Sequence, residues 1–164
     1  MTTNPSTQSP TVAPVPAGYT ALTPFVTVTD GAGAIDFYRN VFDARLVSRT
    51  AAPDGTVAHA ELDFGNGRLQ LGDANEAYGL LPPPGGDAVT HSIAYYCTDC
   101  DAVVARAVAA GATLREEVST FVTGDRYGSI RDPFGLRWSI MTRVEDVSEE
   151  EAQRRVEAWM AEQS

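Results

Sequence analysis

Apolar and polar residues alternate along most of this chain at the two-residue period of strands, and helical spacing replaces that period in two internal stretches. Thr20 to Thr29 predicts a first strand, with Val26 and Val28 on one face and Phe25 and Thr27 on the other. Asp30 then caps a helix running to Phe42, in which Ala34, Ile35, Tyr38, Val41 and Phe42 share a face. Arg45 to Ala51 predicts a second strand, and Pro53-Asp54-Gly55 a turn. Thr56 to Phe64 alternates strictly: Ala58, Ala60, Leu62 and Phe64 make an apolar face, and His59, Glu61 and Asp63 a polar one. Past Gly65-Asn66-Gly67, Arg68 to Gly72 adds Leu69 and Leu71 to the apolar face and Gln70 to the polar face.

Asn75 to Val89, with its Pro-Pro-Pro-Gly-Gly run, reads as a connector or a loop over a cavity, and the order then begins again. His91 to Thr98 is a strand, Asp99 caps a helix from Asp101 to Ala110, Gly111 ends it, and Ala112 to Glu117 is the next strand. Gly124 to Met141 reads as strand, turn, strand around Asp132-Pro133-Phe134-Gly135. Ile130, Trp138 and Ile140 form the core face of this hairpin. Tyr127, Ser129, Arg137, Ser139 and Met141 form the other, a mix suited to a cavity wall. Thr29-Asp30 and Thr98-Asp99 lie 69 residues apart, as do Gln70 and Ser139 on the final strands. That common offset predicts two βαβββ repeats, about 20–73 and about 90–143, within an α+β domain of residues 19–147. Over 148–164, Ser148 opens a capping box with Glu151, and Ala152, Val156, Trp159 and Met160 make an apolar stripe. This C-terminal helix covers its own domain or a partner subunit.

Composition narrows the partners. The formal charge is −10, and all 12 basic residues are arginine, with no basic run. An acidic surface of this kind argues against nucleic acid and anionic membranes, and favours cationic ligands wherever it faces a cavity. No apolar segment approaches the ~18 residues needed to cross a bilayer. Residues 1–18, rich in Pro, Ser and Thr and without the features of a secretory signal, read as a disordered leader. With only two cysteines, the expectation is a cytoplasmic protein.

The segments TPFVTVTD, AIDFYRNVF, HAELDFGNGRLQLGD and GDRYGSIRDPFGLRWS resemble the vicinal oxygen chelate superfamily of glyoxalases, bleomycin-resistance proteins and extradiol dioxygenases, and its PhnB-like branch in particular. The resemblance implies a glyoxalase-like fold in which eight strands curl as one mixed sheet around a cavity, and a homodimer. The metalloenzymes of that superfamily take ligands from the first and last strand of each repeat, here Thr23, Gln70, Ser92 and Ser139. Neutral hydroxyls and an amide are poor donors for a divalent transition metal, so neither metal nor other cofactor is expected.

Several groups remain as candidate chemistry. His59 and Glu61 share a face and form a candidate acid–base pair or cation-binding wall, or a plain ion pair with Arg68 across the hairpin. Desolvation among neutral Gln70, Ser92 and Ser139 would raise the pKa of Glu61, whereas a protonated His59 would lower it. Phe25, Thr27, Tyr96, Tyr127 and Met141 complete the expected ligand face. The CxxC pair Cys97 and Cys100 has redox spacing but lacks the further ligands of a zinc site. GAGAID has two glycines of a dinucleotide fingerprint and Asp36 in place of the third. Arg126 is a candidate for holding an anionic group, with an internal ion pair to Asp125 or Asp132 as the first expectation. The reading that results is a metal-independent protein binding a small molecule, an antibiotic or an aromatic or cationic metabolite. The alternatives are an isomerase, lyase or oxygenase using Glu61 and His59 or an atypical metal, and a regulatory partner protein.

Overall fold

A computed structural model describes residues 12–163 of the chain. Its first repeat contains β1 (Phe25–Val28), α1 (Gly31–Phe42), β2 (Arg45–Ala51), β3 (Val57–Asp63) and β4 (Arg68–Asp73). The second contains β5 (Ile93–Tyr96), α2 (Cys100–Ala109), β6 (Thr113–Thr120), β7 (Asp125–Arg131) and β8 (Arg137–Arg143), and α3 (Glu149–Glu162) follows. Each repeat forms its own four-stranded mixed sheet, in the orders β1-β4-β3-β2 and β5-β8-β7-β6. The single curled eight-stranded sheet expected from the resemblance is therefore two sheets. Their edge strands β1 and β5 are not paired with each other, and a cleft of ≈ 390 Å³ opens between β5 and the segment Thr20, Leu22 and Pro24 that leads into β1.

The repeat register holds in space. Phe25 pairs with Gln70 and Ala94 with Ser139, both partners shifted by 69. The helix junctions repeat as well. Asp73 Oδ1 accepts from the Gly31 amide at 2.8 Å, and Thr142 Oγ1, 69 residues on, accepts from the Cys100 amide at 2.9 Å. Each final strand thus satisfies an orphan donor at the start of its repeat's helix. Asp30 and Asp99 are the N-caps, accepting from Gly33 and Ala102. GAGAID is thereby a capped helix start.

The two apolar faces merge into one core. Phe42, at the end of α1, lies 4.6 Å from the ring of Trp138 on β8 and 5.0 Å from that of Tyr95 on β5. At the Asp132 turn, Gly135 has φ +98°, and a Cβ there would meet Pro83 at 2.6 Å. The proline-rich connector therefore lies against the turn, and Arg131 donates to the Pro84 carbonyl at 2.7 Å.

Three local expectations change. Strict alternation put Ala58 in the core, but Ala58 is exposed and Val57 is 1% exposed. Thr50 pairs with His59 and Ala51 with Val57, so Ala58 is the extra residue of a β-bulge, which resets the faces. Arg126 pairs with neither Asp125 nor Asp132. It holds Asp101 on α2 through two contacts of 2.6 Å, because its strand position turns it to the helix side of the sheet. The first strand is also shorter than expected, since Thr20 to Pro24 is irregular and Leu22 is exposed.

Of the leader, residues 1–11 lie outside the described residues. From Val12 the chain bends, and the Tyr19 amide closes a turn onto the Pro16 carbonyl at 3.2 Å. Helix α3 buries no residue fully. Arg155 ties it to Glu145 and to the Val122 carbonyl, and Trp159 meets Phe121 with ring centroids 5.3 Å apart. Glu151 does not close the capping box from its side chain, since its carboxylate takes Arg154 and Arg155 instead.

Candidate functional site

Alternation along β3 and β4 turns Leu62, Leu69 and Leu71 into the core and leaves His59, Glu61, Arg68 and Gln70 on the outer face of the first sheet. Glu61 is the centre of that face. Its Oε1 accepts from Gln70 Nε2 at 3.1 Å and lies 3.5 Å from His59 Nε2. Its Oε2 accepts from the Tyr19 hydroxyl and, at 3.4 Å, from Arg68 Nη1. The Arg68 guanidinium stands 4.1 Å from the Tyr19 ring centroid, a cation–π contact. Phe25 on β1 stacks on His59, with centroids 5.9 Å apart. Thr27 lies further along β1 and borders a second cleft of ≈ 490 Å³ beneath the proline-rich connector.

The electrostatics follow from these contacts. The Tyr19 hydrogen bond, aided by His59 and Gln70, outweighs desolvation and holds the Glu61 carboxyl below its ordinary range. Ser92 and Ser139 do not supply the neutral surroundings that would have raised it. Ser139 lies on β8 and Ser92 immediately before β5, 3.3 Å from one another, and Ser92 also donates to the Arg137 carbonyl. The Tyr19 phenol is pushed above its usual value, first by the Glu61 hydrogen bond.

Of the other expected ligand residues, Tyr127 donates to Glu116 at 2.8 Å and packs edge-on to Phe121, beneath α3. Tyr96 is exposed, and Met141 beside it on β8 is half-buried. Phe25, His59, Glu61 and Gln70 therefore come together. Ser92, Tyr96, Tyr127, Ser139 and Met141 form a separate face on the second sheet. Sequence reasoning placed Arg68 only as an ion-pair partner and missed Tyr19. The one available signal was an isolated aromatic residue directly after Gly18, at the end of a stretch without aromatics.

The positions matching the superfamily's metal ligands do not fit a metal. Gln70 is spent on Glu61, Ser92 and Ser139 on each other, and no imidazole, thiolate or carboxylate stands in their places. Among the described residues no group of three or more His, Cys, Asp or Glu side chains converges as a metal site. Cys100 is buried against the Arg126 carbonyl, and that burial pushes its thiol up, opposite to the shift of a reactive cysteine. No helix among the described residues is long and apolar enough to cross a membrane.

The family model described as glyoxalase/bleomycin resistance protein/dioxygenase superfamily matches residues 18–140. An uncharacterized protein of Mycobacterium bovis is 40% identical over 138 residues, 81% of this chain and 90% of the relative. Among solved structures, TioX from Micromonospora sp. ML1 is similar at 28% identity and TM-score 0.60, over 74% of this chain and 97% of TioX. A PhnB protein from Bacillus cereus, described as a putative 3-demethylubiquinone-9 3-methyltransferase, is similar at 19% identity and TM-score 0.59, over 75% and 99% of the two chains. The fosfomycin resistance protein FosX from Listeria monocytogenes, complexed with Mn(II), is similar at 13% identity and TM-score 0.58, over 82% and 94%. The last two likenesses concern the fold alone.

Proposed function

The chain belongs to the glyoxalase/bleomycin resistance protein/dioxygenase superfamily, and from that premise we propose that it binds a small aromatic or cationic molecule without a metal, on the outer face of its first sheet. The observation that carries this reading is Glu61. It is a carboxylate kept ionised by surrounding donors, on a face walled by Phe25 and His59. A general base works best with a pKa near the operating pH, and this carboxyl is shifted the other way. A fixed anion suits recognition, since a charge-assisted hydrogen bond contributes ~1.5–3 kcal/mol. The superfamily's name joins antibiotic resistance to enzymes, so antibiotics and small metabolites both belong in a ligand screen by thermal shift. For any ligand so found, Glu61→Gln should lower affinity roughly 10- to 100-fold in calorimetric titration. Unchanged affinity would reduce Glu61 to a structural ion pair with Arg68.

A second reading, catalysis, is favoured by His59 Nε2 standing 3.5 Å from Glu61 Oε1, a pair that would have to close by a few tenths of an ångström on substrate binding to pass a proton. It predicts a different loss. Glu61→Gln would abolish turnover while leaving substrate binding nearly intact.

We also propose that the protein is a homodimer, in which a second copy covers the half-buried and exposed stripe of α3 at Ala152, Val156 and Trp159. Sedimentation equilibrium should give twice the 17.5 kDa chain mass at micromolar concentration, and Trp159→Asp should return it to a monomer. A wild-type monomer would leave the helix as a local cover for Phe121.

A further inference from the structure

The first-sheet site already holds an aromatic hydroxyl, supplied by the chain itself. Tyr19 arrives on an irregular segment whose turn depends on Gly18, at φ +82°. That φ favours glycine, and a Cβ there would also stand 2.7 Å from Arg68 Nη2, so the guanidinium would have to shift. The segment is lightly held. Residues 12–18 are exposed and Tyr19 is half-buried. The contacts seating it are the phenol on Glu61, the ring under Arg68 and a 3.5 Å contact from Arg68 Nη2 to the Ala17 carbonyl. Segments with so few buried contacts open at low free-energy cost.

We propose that Tyr19 is an internal stand-in for the ligand, and that the site takes a neutral hydroxy-aromatic compound which displaces it. This rests on the binding role proposed above and narrows its ligand class. Three features select the chemistry. Glu61 Oε2 is acceptor-only, so whatever replaces the phenol must donate a hydrogen bond there. Arg68 Nη1 stands 3.4 Å from the same oxygen, so a cationic ligand meets a like charge where it would need to sit. Arg68 also presents its planar cation to a ring face, with the stacked Phe25 and His59 further along the sheet, and these groups favour an aromatic body. A phenolate is excluded by Glu61 itself, so the hydroxyl stays protonated.

The test uses naphthol and its methyl ether as a matched pair, titrated calorimetrically into the full chain, Tyr19→Ala, and Tyr19→Ala with Glu61→Gln. Because Tyr19 must leave before a ligand can enter, a seat it occupies about 90% of the time weakens binding about 10-fold, and removing the residue should restore that factor. The methyl ether, which cannot donate, should bind Tyr19→Ala about 10- to 100-fold more weakly than naphthol, and the double variant, whose Gln keeps a neutral acceptor oxygen, should shrink that preference to about 10-fold or less. In the wild type, naphthol should shift the Tyr19 ring resonances towards those of a solvent-exposed tyrosine. Tyr19 is not in the core, and circular dichroism verifies that each variant folds. Equal binding of naphthol and ether, no gain in Tyr19→Ala, or no naphthol binding at all would overturn the proposal. If another compound from the screen binds in a Glu61-dependent way that Tyr19→Ala leaves unchanged, the stand-in idea falls while the binding role stands. If no compound responds to Glu61→Gln, both fall.

Discussion

Replacing Asp132 by alanine should cost about 3–5 kcal/mol of folding stability, because it orphans a set of buried donors at once. Asp132 is 4% exposed. Its Oδ2 accepts from the Tyr38 hydroxyl at 2.7 Å and from Trp138 Nε1 at 2.9 Å, and its Oδ1 accepts from the amides of Phe134 and Leu136 at 3.0 and 2.8 Å. Burial pushes this carboxyl up and the four donors pull it back, burial being the larger influence. The residue is therefore costly to bury, and its value lies in what it satisfies. Without it, Tyr38 and Trp138, both essentially inaccessible, lose their acceptor, and each unsatisfied buried group costs about 1–3 kcal/mol. Asp132→Asn keeps one acceptor oxygen and should cost roughly half as much. Adding Tyr38→Phe to Asp132→Ala should recover part of the loss, since the orphaned hydroxyl goes with it. Urea unfolding of the wild type, Asp132→Ala, Tyr38→Phe and the double variant measures the cycle. A loss below about 1 kcal/mol for Asp132→Ala would mean that water reaches these donors once the carboxylate is gone.

Phe42→Ala is expected to be comparably severe, about 3–5 kcal/mol, as a large-to-small change in a packed core. Phe42 is 2% exposed and touches aromatic rings from both repeats: Phe37 and Tyr38 on its own helix, Phe64 at the end of β3, Tyr95 on β5 and Trp138 on β8. The cavity left behind would sit between the two sheets rather than inside either repeat. Circular dichroism and tryptophan fluorescence should therefore lose structure together, at a lowered but common midpoint. Two separate transitions would show that the repeats fold as independent units, and would contradict the shared core.

Both variants concern the place where the repeats meet, and that meeting was only half legible in the sequence. The period-two pattern and the capping aspartates gave eight strands and two internal helices in order, because those signals are local. The 69-residue offset predicted the duplication, and it survives as matched pairing of Phe25 with Gln70 and Ala94 with Ser139. Local pattern failed at Ala58, where one inserted residue flips the alternation without changing composition. The hairpin turn is also one residue longer in the second repeat, so that Asp63 faces Arg68 but Arg131 faces Arg137. Glu61 consequently matches Ser129 in strand pairing, opposite Gln70 and Ser139, and the carboxylate centre exists on one sheet only.

By itself, then, the sequence determined the βαβββ order, its duplication, the helix caps, the turn at Asp132 and the shared face of His59, Glu61 and Gln70. Each of these follows from side-chain periodicity or from a residue's own backbone preference. Tertiary structure alone decided that the sheets stay separate, that Ser92 and Ser139 stand apart from Glu61, and that Arg126 reaches Asp101. It alone brought Tyr19 across 42 residues onto Glu61. These are contacts between segments distant in the chain, made by a hydroxyl, a guanidinium and a carboxylate whose partners no local pattern encodes. The lowered pKa of Glu61 belongs to that second class, because a carboxylate's ionisation depends on which donors the fold delivers to it.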